Sequence, residues 1–125
     1  LPTSVSNINF TLEINSYGFY ELKIKDNIEI SIEDAVLIRK AQEEISGKKL
    51  PMLIHGGKYS TINVDALKFI SKNINMPYSK ASAYIMYTVA QKILGNFYLK
   101  INKPQRPTKF FNNKEEAIIW LKQYL

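Results

Sequence analysis

Ile8-Asn9-Phe10-Thr11-Leu12-Glu13-Ile14-Asn15 is followed by Ser16-Tyr17-Gly18 and then by Tyr20-Glu21-Leu22-Lys23-Ile24-Lys25. Apolar and polar residues alternate in both runs, which is the period of a half-buried strand. Two such runs around a short turn predict an antiparallel hairpin whose polar face meets water. The period then changes to that of a helix. Ser31 precedes Glu33, Asp34 and an apolar series at Ala35, Ile38, Ala41 and Ile45, and Gly47 follows. The serine can cap, the acids suit the positive helix end, and the glycine supplies a left-handed exit.

From there strands and helices alternate. Leu50 to Ile54 is a short apolar run ending in the loop His55-Gly56-Gly57. Val64, Leu67, Ile70 and Ile74 recur at helical spacing, with Pro77 as a stop. Ala81 to Thr88 is apolar on both faces, as an interior strand is. Ala90, Ile93, Leu94, Phe97 and Ile101 predict a third helix despite the β-prone Phe97-Tyr98-Leu99, ended by Lys103-Pro104-Gln105-Arg106-Pro107. Thr108 to Phe111 is a brief strand, Asn112 or Asn113 a cap, and Glu115 to Leu125 a last amphipathic helix on which Trp120 packs against the sheet. The order β-β-α-β-α-β-α-β-α predicts an α/β fold with a largely parallel sheet behind an N-terminal antiparallel hairpin. With 125 residues the chain is one domain over 1–125, with residues 1–6 as a flexible tail.

Composition narrows the function. The absence of cysteine removes disulfides, thiolate metal sites and cysteine nucleophiles. No apolar run reaches the roughly 18 residues of a membrane span and no signal peptide is evident, so a cytoplasmic location is expected. The chain starts at Leu1 rather than Met, which is consistent with a trimmed leader. Charge is uneven: residues 1–47 carry 4 basic and 8 acidic side chains, and residues 48–114 carry 12 basic ones against Asp65 alone. Of the 17 basic residues 15 are lysine, so only Arg39 and Arg106 offer a bidentate fork. Tyr98 to Phe111 interleaves Lys100, Lys103, Arg106 and Lys109 with aromatic residues, a pattern that suits stacked bases. The plainer expectation is that Phe110 and Phe111 are core, the lysines line a loop, and nucleic acid is not a partner.

Three stretches carry a resemblance: Ser31-Ile32-Glu33-Asp34-Ala35, Leu94-Gly95-Asn96-Phe97, and the run from Lys103-Pro104 through Phe110-Phe111 to Glu115-Glu116-Ala117-Ile118-Ile119-Trp120-Leu121. With the element order, they make the chain similar to the STAS domains of bacterial anti-anti-sigma factors and to the wider SpoIIAA-like superfamily. That superfamily also includes the CRAL-TRIO lipid-transfer domains. The resemblance is closest to small uncharacterised bacterial SpoIIAA-like proteins. It implies a STAS-like mixed sheet and a regulatory, protein-binding role. In anti-anti-sigma factors an Asp-Ser-Ser-Gly-Leu motif opens the helix after the third strand, and its second serine is phosphorylated. The overlay places Asn63-Val64-Asp65-Ala66-Leu67 there, with Asp65 at the phosphoacceptor position. A carboxylate has no hydroxyl to modify, and Asp65 more simply suits the positive end of a helix. Ser60 and Thr61 lie upstream as alternative caps.

No complete catalytic motif is present. His55 is the single histidine, and no Gly-x-Ser-x-Gly elbow accompanies Ser60 or Thr61. Gly56-Gly57-Lys58 fails the Walker pattern at Met52 and at Tyr59. The expectation is a non-enzymatic domain without metal or cofactor. Open parallel sheets gather ligands beyond the strand carboxyl ends. The candidate surface there is His55, Lys58, Ser60, Thr61, Asn63, Asp65, Tyr87 and Thr88. The expected partners are another protein, a second copy of the chain, or a small anionic or apolar ligand of the kind a lipid-anion carrier would take.

Overall fold

In the computed structural model, which describes residues 2–125, the chain begins with β1 (Ser4–Ser6), β2 (Phe10–Ile14), β3 (Tyr20–Ile24) and β4 (Glu29–Ile30). It continues through α1 (Ile32–Ile45), β5 (Leu50–His55), β6 (Thr61–Ile62), α2 (Val64–Ile70) and β7 (Ser79–Ile85). It ends with α3 (Val89–Ile101), β8 (Thr108–Phe111) and α4 (Lys114–Lys122). The β2–β3 hairpin pairs Leu12 with Leu22 and Ile14 with Tyr20. Its turn is held by the Asn15 side chain, whose Oδ1 accepts from the Tyr17 and Phe19 amides, and Gly18 takes φ +87°. At α1 the Ser31 hydroxyl accepts from the Asp34 amide while the Asp34 carboxylate accepts from the Ser31 amide, a reciprocal cap. Gly47 leaves the helix at φ +63°.

The main sheet has the order β1-β2-β3-β5-β7-β8. The first two pairings are antiparallel, and the three from β3 to β8 are parallel. Crossovers α1, α2 and α3 share one face. There Phe10, Leu12, Tyr20, Leu22, Met52 and Ile54 meet Ala35, Ile38, Ala41 and Ile45 of α1. The other face belongs to α4, where Phe19, Leu53, Ala83, Ile85 and Phe111 pack on Ala117, Ile118 and Leu121. Trp120 lies against Phe111 with ring centres 5.7 Å apart. A separate two-residue parallel ladder joins β4 to β6 and ties the entrance of α1 to that of α2.

The α/β class, the hairpin and the alternation that follows agree with the sequence. Four expectations need correction. Residues 4–6, read as part of a tail, pair with Thr11–Glu13 as an edge strand, and Leu1 lies outside the described residues. Ile8 stands before the strand and is exposed, because the Asn7 carboxamide turns the chain there by accepting from the Asn9 and Phe10 amides. Helix α2 stops at Ile70, where the Ser71 hydroxyl bonds back to the Lys68 carbonyl, so Ile74 faces water. In α3, Ile93, Phe97 and Ile101 point outward, and Gln91, Gly95 and Tyr98 point in. Gly95 decides that orientation. A Cβ there would sit 2.7 Å from both Met86 Cε and Phe110 Cε1, so only glycine lets the helix lie this close to the sheet. Last, the hairpin's polar face is not wholly wet, for Glu21 is covered by the start of α4.

Candidate functional site

Between the sheet and α1–α3 lies a cavity of about 100 Å³. Leu22, Ile24, Met52 and Ile54 form its floor, with Ile38, Leu67, Leu94 and Phe110 around them. At the strand carboxyl ends it is bounded by Gly56, Ser60, Thr61 and Gln91, and at the amino ends by Ser79, Tyr98 and Arg106. Helix α3 bridges this space and is anchored at its first turn. Thr88 caps it by accepting from the Gln91 amide, and Gln91 Nε2 donates to the Gly57 carbonyl at 2.7 Å. The neighbouring loop is seated by its glycine: a Cβ on Gly57 would lie 2.2 Å from the Lys25 carbonyl oxygen.

The amino end of the cavity carries its only charge. Arg106 is 6% exposed, and its Nη2 donates to the Ile70 carbonyl at 2.6 Å, while its Nε has no partner. The Tyr98 hydroxyl beside it is also buried without a partner. Burial pushes the Tyr98 phenol well above its ordinary value against the pull of the Arg106 charge, so it stays a proton donor. Burial raises Tyr84 too, and its ring stacks on Phe110 with centres 5.0 Å apart.

A second polar cluster occupies the opposite face. Glu21, 4% exposed, accepts from Asn15 Nδ2 at 2.9 Å, His55 Nε2 at 2.8 Å and Lys114 Nζ at 3.2 Å. Burial alone would raise the Glu21 pKa, but these three donors outweigh it and the carboxyl lies below its ordinary value. Burial lowers His55 against the opposing pull of Glu21, which favours the neutral imidazole. Nε2–H then donates to the carboxylate, and Nδ1 accepts from the Tyr87 hydroxyl at 3.1 Å. Carboxylate, imidazole and phenol thus form a chain ending at exposed Tyr87.

The structure divides the predicted surface between these two faces. His55 and Tyr87 join on the α4 side, whereas Ser60 and Thr61 border the cavity. Ser60 is buried, with its hydroxyl on the Gly57 carbonyl, and Thr61 is held in β6. Asn63 is the cap of α2 and accepts from the Asp65 amide, leaving Asp65 exposed in the first turn. Thr88 caps α3, and Lys58 reaches outward over the Tyr59 ring. In the basic stretch Tyr98 is buried, Phe110 is stacked on Tyr84, and Lys109 lies over Phe111. Sequence reasoning noticed Arg106 as a bidentate fork and as one cation of the basic stretch, not as a buried group, and missed Glu21. A lone arginine between Pro104 and Pro107 was the available signal for the first.

Among the described residues no helix is long and apolar enough to cross a membrane, and no group of three histidine, cysteine or acidic residues could hold a metal ion. The family model described as a domain of unknown function, DUF7793, matches residues 15–125. No functionally curated protein matches the chain. Among solved structures it is similar to an uncharacterised DUF3478-family protein with a SpoIIAA-like fold from Shewanella loihica PV-4. The identity is 21% and the TM-score 0.58, over 94% of this chain and 98% of that one. The fold is therefore SpoIIAA-like.

Proposed function

The chain belongs to the DUF7793 family of domains of unknown function, and from that premise we propose that it is a non-catalytic domain that binds a small, mostly apolar ligand between the sheet and α1–α3. One observation carries this reading. An apolar cavity of about 100 Å³, lined by Leu22, Met52, Ile54 and Leu67, persists in an otherwise packed core. Protein interiors rarely leave such space, and ligand sites are typically apolar clefts with a few convergent polar groups. At roughly 30 Å³ for a water in the liquid, the space corresponds to about three waters, or a ligand of about four carbon atoms. Native mass spectrometry of protein purified from its own host should show the chain carrying a small molecule that organic extraction releases. Ser82→Phe, which intrudes on the cavity from β7, should abolish that adduct while the variant stays folded. Equal loading of both proteins, or no adduct together with no binding of 1-butanol, would overturn the proposal.

The second reading is a regulatory protein-binding module of the anti-anti-sigma kind, and the outer face of α3 favours it. Val89, Ile93, Phe97 and Ile101 stand exposed four residues apart, beside Lys92 and Lys100. An acidic-rimmed apolar groove on a partner protein would complement this stripe. A stoichiometric complex in native mass spectra that Phe97→Ser dissolves supports this reading, and one that Phe97→Ser leaves unchanged argues against it.

A further inference from the structure

We infer that the ligand carries a single carboxylate, and that Arg106 receives it with Tyr98 at the amino end of the cavity. This rests on the cavity-binding reading above and names the chemistry of that site.

Arg106 is a permanent cation, and its side chain is 6% exposed. Among the described residues both ion pairs within 4.0 Å involve Glu21 on the opposite face, so no carboxylate of the chain answers this charge. The Ile70 carbonyl takes one of its five N–H donors, and Nε points at no acceptor. The Tyr98 hydroxyl, equally buried, lies against the guanidinium and has no acceptor for its own proton. Buried charges are ordinarily paired, and an orphaned donor costs its full desolvation. Here a cation and a hydroxyl share one shortage, that of an anionic acceptor. A carboxylate fits a guanidinium through two parallel hydrogen bonds.

Charge matching selects among anions. Arg106 is the sole charged residue of the lining, and no lysine joins it. A phosphate monoester, with close to two negative charges at neutral pH, would keep one of them uncompensated in an apolar wall. A monocarboxylate leaves none. The remaining lining is apolar, with Ile38, Met52, Ile54 and Leu67 available to a hydrocarbon tail. A space of about 100 Å³ keeps that tail short, at about three or four carbons.

Calorimetric titration of the purified chain with butanoate, 1-butanol and butyl phosphate tests the inference, with Arg106→Met and Tyr98→Phe alongside the unaltered protein. Butanoate should bind at least about tenfold more tightly than 1-butanol, a factor that corresponds to about 1.4 kcal/mol. In Arg106→Met that preference should vanish while 1-butanol still binds, which also shows that the cavity survives. Tyr98→Phe should weaken butanoate severalfold and weaken 1-butanol less, and it decides the matter if Arg106→Met fails to fold. Butanol binding as tightly as butanoate, or butyl phosphate binding more tightly, would overturn the carboxylate and leave the cavity reading standing. If none of the three probes binds, both readings fall.

Discussion

Replacing Gly57 by alanine should cost far more than replacing its neighbour Gly56. At Gly57 the new methyl would stand 2.2 Å from the Lys25 carbonyl oxygen and 2.7 Å from that of Ile24. Both oxygens belong to backbone that cannot retreat, because Ile24 is paired with Phe10 and the Lys25 amide is bonded to Asn9. The loop must move instead. Moving it strains the three bonds on the Gly57 carbonyl, from the Ser60 amide, the Ser60 hydroxyl and Gln91 Nε2. At about 1 kcal/mol each their loss amounts to about 3 kcal/mol, within the range for overpacked sites. For a domain of this size that is a fall of about 12 °C in melting temperature. At Gly56 the nearest atom is Gln91 Nε2 at 3.3 Å, a side-chain tip that need shift by only a few tenths of an ångström. Its alanine variant should lose less than about 1 kcal/mol. Circular-dichroism melts of the two variants compare them directly. If Gly57→Ala melts within about 2 °C of the unaltered chain, the close approach assigned to this loop is wrong.

Ser31→Ala removes the hydroxyl that caps α1 and should cost about 1 kcal/mol, or about 4 °C; a urea midpoint unchanged from the unaltered protein would contradict the reciprocal cap. Acid should destabilise the fold in two stages. Folded His55 resists protonation, so below its ordinary value of 6.5 the unfolded chain takes up the proton first and stability declines until the folded imidazole titrates. Glu21 is held as a carboxylate, so its contribution is full above 4.5 and is lost as pH falls through the lower folded value. Urea midpoints across pH 7 to 3 should fall throughout, His55→Gln should flatten the upper stage, and a midpoint that rises on going from pH 7 to 5.5 would refute the assignment. Asp65→Ser should leave the fold intact at a cost of at most about 1 kcal/mol, and phosphopeptide mapping from the native host should find no stoichiometric phosphate on buried Ser60 or on Thr61.

The elements whose ends carry local chemistry were legible in the sequence. Ser31, Gly47 and the Asn15–Gly18 turn mark their boundaries by hydrogen bonds and by φ, and these need no tertiary knowledge. The direction in which α3 faces was not legible. Ile93, Phe97 and Ile101 form the stronger apolar stripe, yet one glycine and one tyrosine on the opposite side set the contact with the sheet. Periodicity identifies a helix, but it cannot rank a bulky face against a close-fitting one. The candidate site was hidden for a related reason. Tyr98, Arg106, Ile70 and Leu22 meet only after three crossovers have been stacked, and nothing in their spacing anticipates an unfilled space between them. The strand-end rule located His55 beside Tyr87 but could not tell which side of the sheet each loop residue would take.

The short strand at Ser4–Ser6 bears on how much open sheet edge the molecule presents. Without it the outer rim of the sheet would be β2, whose Phe10-Thr11-Leu12-Glu13-Ile14 is a strong former of strand–strand contacts. With it the rim is three residues long and carries two serines, too brief and too polar to template an addition. The far rim, Thr108–Phe111, is preceded by Pro107 and also spans only four residues. Both borders of the sheet are thus short, which leaves little open edge for a strand of another molecule to extend.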